Sequence, residues 1–130
     1  MNRKVMAIVK SDKGKYLLLK TNPKWLKVNI WFVVTGSVEG KETEEAAARR
    51  EVIEETGLKI IDIKKTSYFC EYEWPKGSGK MHHEHAFLVT VKEEAPKLSG
   101  EHLDFRWLSK SDFLSQIAWQ DNIKMLREII

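Results

Sequence analysis

The sequence predicts an α+β fold in which helices pack on a mixed β-sheet. Short apolar segments of the length typical of strands come first. A polar segment of helical composition follows at residues 43–56. Strands and then helices recur in the second half of the chain. Elements in that order bury a sheet beneath helices on its faces. At 130 residues the chain is expected to form one domain, residues 1–130.

The first two predicted strands are residues 6–10 and 15–20, joined by the turn signal Asp12-Lys13-Gly14. Residues 30–34 form a short continuous apolar run, which is typical of a buried strand. The polar and glycine-rich stretch 35–40 is expected to break that strand. These segments together predict a hairpin followed by one further strand of the sheet.

A helix is predicted from Thr43 to Thr56, because the residues favour helix and Gly57 stands where helices commonly end. Ala46 and Ile53 are expected to form the apolar stripe that faces the sheet. The remaining segments alternate in the same way. They are strands 60–72, 85–91 and 105–108, a flexible connection at 75–79, a helical region that begins at Ser109, and a last helix at 119–130.

Composition indicates a soluble globular protein, with 42% hydrophobic and 32% charged residues. No apolar run is long enough to span a bilayer, so no membrane association is expected, and the basic N-terminus lacks the features of a signal peptide. The single cysteine, Cys70, excludes an internal disulfide and favours the reducing cytoplasm. A net charge of +3 suits a polyanionic small molecule as well as RNA.

Three glutamates crowd into five residues of the predicted helix. At 100° per residue, Glu51, Glu54 and Glu55 fall within an arc of roughly 100°. Like charges at this spacing destabilise a helix. A divalent cation would remove the repulsion, and hard oxygen ligands select Mg²⁺ or Mn²⁺. The alternative is an ordinary solvated helix face.

The context of these glutamates resembles the signature of the Nudix hydrolase family (MutT-like), written GX5EX7REUXEEXGU with U apolar. Gly36 is followed after five residues by Glu42 and after seven more by the run Arg50–Leu58, which matches every specified position. The resemblance implies the Nudix fold, a mixed sheet sandwiched between helices (α/β/α). It also implies hydrolysis of a nucleoside diphosphate linked to another group and a possible homodimer. The sequence has neither a long basic arm nor an aromatic-basic stripe, so nucleic acid is not expected as a partner.

The same resemblance assigns roles to residues. Gly36 turns the chain and offers a carbonyl to the metal, Glu42 pairs with Arg50, and Gly57 ends the helix. Glu51, Glu54 and Glu55 are metal ligands, and Glu51, Glu54 and Arg50 belong to the catalytic set. A further carboxylate often comes from a loop outside the motif in this family, either as a ligand or as the general base. Glu101 is the candidate, because it follows the flexible pair Ser99-Gly100.

Two short stretches resemble one subfamily, the dihydroneopterin triphosphate pyrophosphatases, which also act on dATP. One is Trp31-x-x-Val-Thr-Gly-Ser-Val-Glu, and the other is residues 101–108 followed by Trp119 and Asn122. The expected substrate is therefore a nucleoside or pterin triphosphate, cleaved to the monophosphate and pyrophosphate. Diadenosine tetraphosphate hydrolases share part of the second stretch, but they usually have Pro-Lys-Gly at 34–36. A hydrolase for 8-oxo-dGTP or another such substrate, an enzyme trimming RNA 5′ phosphates, and a nucleotide-sensing module remain as alternatives.

Four residues are expected to contact the substrate: Trp31, Thr35, Tyr72 and His83. His83 belongs to the run His82-His83-Glu84-His85. Strand alternation leaves only His83 and His85 on a common face, and two ligands do not make a zinc site. A surface or substrate-groove role is therefore expected for His83, while Cys70, Phe105 and Trp107 are expected in the core.

Overall fold

The computed structural model describes residues 1–120 and 123–130, and its elements alternate as the sequence predicts. Seven strands are present in the described ranges: β1 (Asn2–Ser11), β2 (Tyr16–Thr21), β3 (Trp31–Phe32), β4 (Val34–Ser37), β5 (Ile60–Glu73), β6 (Met81–Val91) and β7 (His102–Leu108). The helices described are α1 (Pro23–Leu26), α2 (Glu44–Thr56), α3 (Lys110–Gln116) and α4 (Ile123–Ile129).

The strands form one mixed sheet in the order β3-β2-β1-β6-β5. The long central strands β1 and β6 are parallel, and β5 runs antiparallel to β6. β4 pairs with the first half of β1, while β7 pairs with β2. The predicted hairpin is present as a turn, and Lys10 of β1 lies opposite Tyr16 of β2 in an antiparallel pairing. The two strands then separate to take different partners.

Helices cover both faces of this sheet. Helix α2 buries Ala47, Ala48 and Val52 against one face, in a core shared with Phe87 and Val89. The other face carries a second core in which Phe113 of α3 and Leu126 of α4 pack on Tyr16 and Ile8. Strand alternation sends neighbouring residues into the two different cores. The predicted sandwich of a mixed sheet between helices is therefore confirmed.

The prediction of a single strand at 30–34 is wrong. Val33 separates β3 from β4, and residues 35–37 continue β4 instead of breaking it. Gly36 lies opposite Val5 in an antiparallel pairing, so it does not turn the chain. The physical reason is that the backbone groups of β4 find partners on β1, a strand that lies about thirty residues earlier.

The predicted sheet-facing stripe of α2 is also wrong. Ala46 is exposed and Ile53 is 53% exposed, whereas Ala47, Ala48 and Val52 are completely buried. The helix has too few apolar residues to mark its inner face, since small alanines carry most of the contact with the sheet. The helix ends are as expected: Thr43 accepts a hydrogen bond from the Ala46 N–H at its start, and the Gly57 N–H donates to the Ile53 carbonyl at its end.

Two further differences concern the connections. Helix α1 was not expected; Asn22 caps it and Pro23 begins it. The last helix begins at Ile123 and not at residue 119, and Asn122 lies outside the described residues. Phe105 and Trp107 pack against the first core and Cys70 against the second, as predicted. No helix in the described part of the chain has the length and apolar character needed to cross a membrane.

Candidate active site

Arg50 organises the acidic end of helix α2. Its Nε donates to Glu42 Oε2 at 2.9 Å and its Nη2 donates to Glu42 Oε1 at 3.0 Å, which is a bidentate ion pair. Nη2 also donates to the Ser37 carbonyl at 2.9 Å. Nη1 donates to Glu51 at 2.7 Å and to Glu54 at 3.3 Å. One guanidinium therefore fixes the loop before α2, the end of β4 and two of the glutamates.

The ion pair with Arg50 compensates the negative charge of Glu42. Hydrogen bonds from Arg50 hold the pKa of Glu42 below its usual range, and the hydrogen bond with Glu42 raises the pKa of Arg50. Both groups are therefore charged at neutral pH. Since Arg50 is shared among three carboxylates, its single positive charge does not neutralise the cluster.

Strand β4 lies directly against the Glu51 side chain. A Cβ placed on Gly36 would stand 2.1 Å from Glu51 Cδ and 2.4 Å from its Oε1. Gly36 has an ordinary strand conformation, so it is not needed here for a left-handed backbone. It is needed because the carboxylate of Glu51 occupies the space of any larger side chain. The close approach also places the β4 backbone next to the acidic cluster.

Glu55 is the buried member of the cluster. The residue is 3% exposed, and its Oε2 has no hydrogen-bond partner within the described ranges. Burial raises the pKa of Glu55 far above its ordinary value, and the carboxylates of Glu51, Glu101 and Glu54 raise it further. A buried carboxylate with an unsatisfied oxygen is costly unless a proton or a cation accompanies it.

The last residue of the loop before β7 and the first residue of that strand lie close to Glu55. Ligand atoms of Glu55, Glu101 and His102 all lie within 4.8 Å of one another. Partial desolvation raises the pKa of Glu101, with Glu51 and Glu54 adding to the effect. His102 Nδ1 lies 3.7 Å from Glu55 Oε1. Burial lowers the pKa of His102 to about 4, so the imidazole is neutral at pH 7 and brings no charge to the cluster.

Asn22 holds this loop in place. Its backbone N–H donates to the Glu101 carbonyl at 2.8 Å, and its Nδ2 donates to the Gly100 carbonyl at 3.0 Å. The same side chain caps helix α1 by accepting from the Lys24 N–H at 3.1 Å. Asn22 therefore links α1 to the segment that carries Glu101.

The donor set fits a divalent cation. Four carboxylates converge: Glu51, Glu54 and Glu55 from α2, and Glu101 from the facing loop. Burial raises the pKa of Glu55 and of Glu101, and the neighbouring carboxylates raise it further, so the cluster lacks compensating positive charge. The unpartnered oxygen of Glu55 is the kind of hard ligand that such a cation takes. This end of α2 can therefore hold a divalent metal ion.

The four residues expected to contact substrate do not lie together. Tyr72 faces the second core, where its hydroxyl donates to the buried Glu84 at 3.2 Å. His83 lies on the opposite face of the sheet, where its Nδ1 contacts Glu71 Oε2 at 3.2 Å. One pocket cannot be lined by both, because strand alternation sends them to different sides. Thr35 lies opposite Met6 of the second core, so strand alternation directs its side chain away from Glu51, which lies against the neighbouring Gly36.

Trp31 is already covered by another side chain. The Arg106 guanidinium lies 4.0 Å from the centre of its indole ring, a cation–π geometry. A more open aromatic group lies close by. Trp119 contacts Phe32 with ring centres 4.8 Å apart and Trp74 with ring centres 6.4 Å apart. Trp74 and Trp119 are about half exposed.

Sequence reasoning missed His102, Asn22 and Phe32 as members of these groups. His102 directly follows the candidate Glu101, and this adjacency is the signal that could have identified it. Asn22 precedes Pro23, a pair that marks the start of a helix. Its contact with the Glu101 loop crosses almost eighty residues and has no local signal.

Known proteins resemble this chain along its whole length. Dihydroneopterin triphosphate diphosphatase of Haemophilus influenzae is 28% identical over 99% of this chain and 87% of its own length. The NAD-capped RNA hydrolase NudC of Vibrio vulnificus is 34% identical over 85% of this chain, which spans only 40% of that longer protein. The structure of the E. coli dihydroneopterin triphosphate pyrophosphohydrolase superposes with a TM-score of 0.76, at 22% identity, over 97% of this chain and 92% of that one.

The family follows from the domain match and agrees with the geometry. The profile of the NUDIX domain matches residues 1–129, which include the whole signature and the loop that carries Glu101. The predicted family is confirmed, as is the prediction of an enzyme that acts on pyrophosphate bonds. This chain belongs to the Nudix hydrolases.

Proposed function

We propose that this protein is a Mg²⁺-dependent pyrophosphohydrolase that cleaves dihydroneopterin triphosphate or a deoxynucleoside triphosphate to the monophosphate and pyrophosphate. The observation that carries the proposal is the convergence of Glu101 and His102 on Glu55, with Glu51 and Glu54 close enough to influence Glu101. A site with this excess of negative charge fits a bound cation together with a polyphosphate that shares it.

Glu51, Glu54 and Glu55 would hold Mg²⁺, with Mn²⁺ as a substitute, and the Gly36 carbonyl would lie beside them. When bound, the cation would neutralise the charge of the phosphates and of the leaving pyrophosphate. Arg50 acts through Glu42, Glu51 and the Ser37 carbonyl, and keeps the carboxylates in place. It is therefore a positioning residue for the reaction.

Glu101 would accept the proton from the attacking water. Its loop faces α2 from the opposite side, and its raised pKa brings it nearer to the pH at which a base works best. The proton moves from the water to a carboxylate oxygen of Glu101 as the water oxygen bonds to phosphorus. The bridging oxygen leaves with pyrophosphate. Asn22 positions Glu101 for this step through its two hydrogen bonds to the loop.

The substrate class rests on three supports. The relative from Haemophilus influenzae carries this activity in its name and spans nearly the whole chain. The segments at 31–39 and 101–108 resemble the same subfamily. The exposed rings of Trp74 and Trp119, with Phe32 behind them, offer a surface on which a pterin or purine ring can stack. Such stacking contributes about 1–3 kcal/mol per base.

The test is a product analysis with a matched panel of substrates and Mg²⁺. The panel contains dihydroneopterin triphosphate, the dNTPs, 8-oxo-dGTP, diadenosine tetraphosphate, ADP-ribose and NAD-capped RNA. Reactions in ¹⁸O-labelled water show which phosphorus the water attacks. We expect the highest kcat/KM for dihydroneopterin triphosphate or a dNTP, pyrophosphate as the second product, and a single labelled product.

The Glu54→Gln variant is the control for contaminating phosphatases, because it keeps the fold and loses a proposed metal ligand. Orthophosphate as the only inorganic product would contradict cleavage between the α and β phosphates. A preference for diadenosine tetraphosphate, ADP-ribose or capped RNA would reject the proposed substrate class and leave the hydrolase family unchanged.

A further inference from the structure

A second group of potential metal ligands lies at the other end of helix α2. A carboxylate oxygen of Glu44, the first residue of the helix, and a ring nitrogen from each of His83 and His85 lie within 4.8 Å of one another. All three side chains are largely shielded from solvent, with exposed fractions between 15% and 29%. The two histidines come from β6, so the group joins the helix to the sheet.

The tautomer of His85 is determined by its surroundings. Its Nε2 lies 3.1 Å from the Thr66 carbonyl, and a carbonyl can only accept, so Nε2 carries the proton. In the neutral form of an imidazole with this tautomer, Nδ1 is a bare lone pair. It faces Glu44 Oε2 at 3.6 Å. Two acceptors at this distance repel each other unless a proton or a metal cation lies between them.

Neighbouring groups also determine which atoms of His83 and Glu44 are free to bind a metal ion. His83 Nδ1 lies 3.2 Å from Glu71 Oε2, which leaves Nε2 as the free ring nitrogen. Lys65 Nζ donates to Glu44 Oε1 at 3.1 Å, so Oε2 is the oxygen left for a ligand. Metal-binding histidines characteristically donate their second ring N–H to a carboxylate or a backbone carbonyl.

We propose that Glu44, His83 and His85 form a binding site for a transition-metal ion of the Zn²⁺ class, separate from the catalytic centre. Zinc binds imidazole nitrogen and carboxylate oxygen at about 2.0–2.2 Å, which places two ligand atoms of a tetrahedral site about 3.4 Å apart. The 3.6 Å between His85 Nδ1 and Glu44 Oε2 agrees with that spacing. A water molecule completes the coordination, because the group is not fully enclosed.

The site differs chemically from the acidic cluster. Two imidazoles and one carboxylate favour Zn²⁺ and similar ions, whereas an all-oxygen set favours Mg²⁺. Glu44 lies seven residues before Glu51, or about 10 Å along the helix axis. The bound ion would fasten the start of α2 to β6, and the catalytic glutamates lie two turns further along the same helix.

The experiment is calorimetric titration of the tag-free protein with ZnCl₂ in excess Mg²⁺, which keeps the acidic cluster occupied. We expect one Zn²⁺ per chain with a micromolar or tighter Kd. His83→Ala, His85→Ala and Glu44→Gln should each weaken binding by at least about 10-fold. Zinc should raise the Tm of the wild-type protein, and at the same zinc concentration it should raise the Tm of the variants by less, because it binds only the folded state.

Two control variants test whether zinc binds at this site and not elsewhere. His82→Ala removes a neighbouring histidine on the opposite face of the sheet and should leave zinc binding unchanged. Glu51→Gln alters the acidic cluster and should also leave it unchanged. Circular dichroism shows whether each variant folds, and the more exposed His83 is the variant least expected to disturb the core. Zinc binding that is absent, that survives the loss of His83, or that disappears with Glu51→Gln would overturn the proposal.

Discussion

Replacing Gly36 with alanine tests the close approach of β4 to the acidic cluster. The new Cβ would lie 2.1 Å from Glu51 Cδ, 2.3 Å from Cγ and 2.4 Å from Oε1. Non-bonded carbon atoms rest about 3.5–4.0 Å apart, so the carboxylate must withdraw by about 1.4–1.9 Å. A displacement of about 1 Å in a catalytic site can cost about 10²-fold in rate. We therefore expect kcat of Gly36→Ala to fall by about 10²-fold or more.

The fold should survive this change, because the clash falls on a flexible side chain and not on the backbone. The loss of stability is expected to stay within about 1–3 kcal/mol, the usual cost of overpacking. The assay is steady-state hydrolysis with Mg²⁺, together with thermal unfolding. Ser37→Ala is the matched control: it alters the next residue of β4, whose exposed side chain is not used, and keeps the carbonyl that accepts from Arg50. A Gly36→Ala enzyme with the kcat of this control would refute the reasoning.

Three other substitutions test the remaining parts of the site. Glu101→Gln should lower kcat by about 10²–10⁴-fold and remove the acidic limb of the pH–rate profile, while KM changes little; near-normal kcat would transfer the role of the base to a glutamate of α2. Arg50→Lys should lower both kcat and Tm, since lysine cannot reproduce the bidentate contact with Glu42; kinetics and calorimetry equal to wild type would contradict this. Glu55→Gln should stabilise the metal-free protein at pH 8, and the gain should shrink toward pH 5. The folded-state pKa of Glu55 is raised above its ordinary 4.5. The stability that Glu55 contributes is therefore fully present below pH 4.5 and is lost progressively as the pH rises toward the folded-state pKa. Thermal unfolding in chelator measures this, and a gain that does not depend on pH would contradict it.

The features that the sequence predicted well are local. The arc of Glu51, Glu54 and Glu55 follows from the 100° step of a helix, and the end of α2 follows from Gly57. The order of strands and helices follows from apolar runs and turn residues. Each of these depends on residues within a few positions of one another, so one segment contains the whole signal.

The features that were missed depend on partners far along the chain. Gly36 belongs to a strand only because Val5 lies opposite it. Ala46 and Ile53 were expected to face the sheet, but Ala47, Ala48 and Val52 lie there instead. Glu44 and His85 are forty-one positions apart, so their approach needed the packing of α2 on β6. No pattern within one segment contains this information.

The most direct test of the central claim, that the glutamates of α2 form a cation site that drives hydrolysis, is a titration of activity with Mg²⁺. The protein is first treated with EDTA, and hydrolysis of dihydroneopterin triphosphate or a dNTP is then followed as Mg²⁺ is added to wild type and to Glu54→Gln. Turnover should be absent in EDTA and return to its full value with Mg²⁺ in the wild type. The variant should remain slower by orders of magnitude at saturating metal. Full turnover in excess EDTA, or a variant that equals the wild type, would contradict the claim.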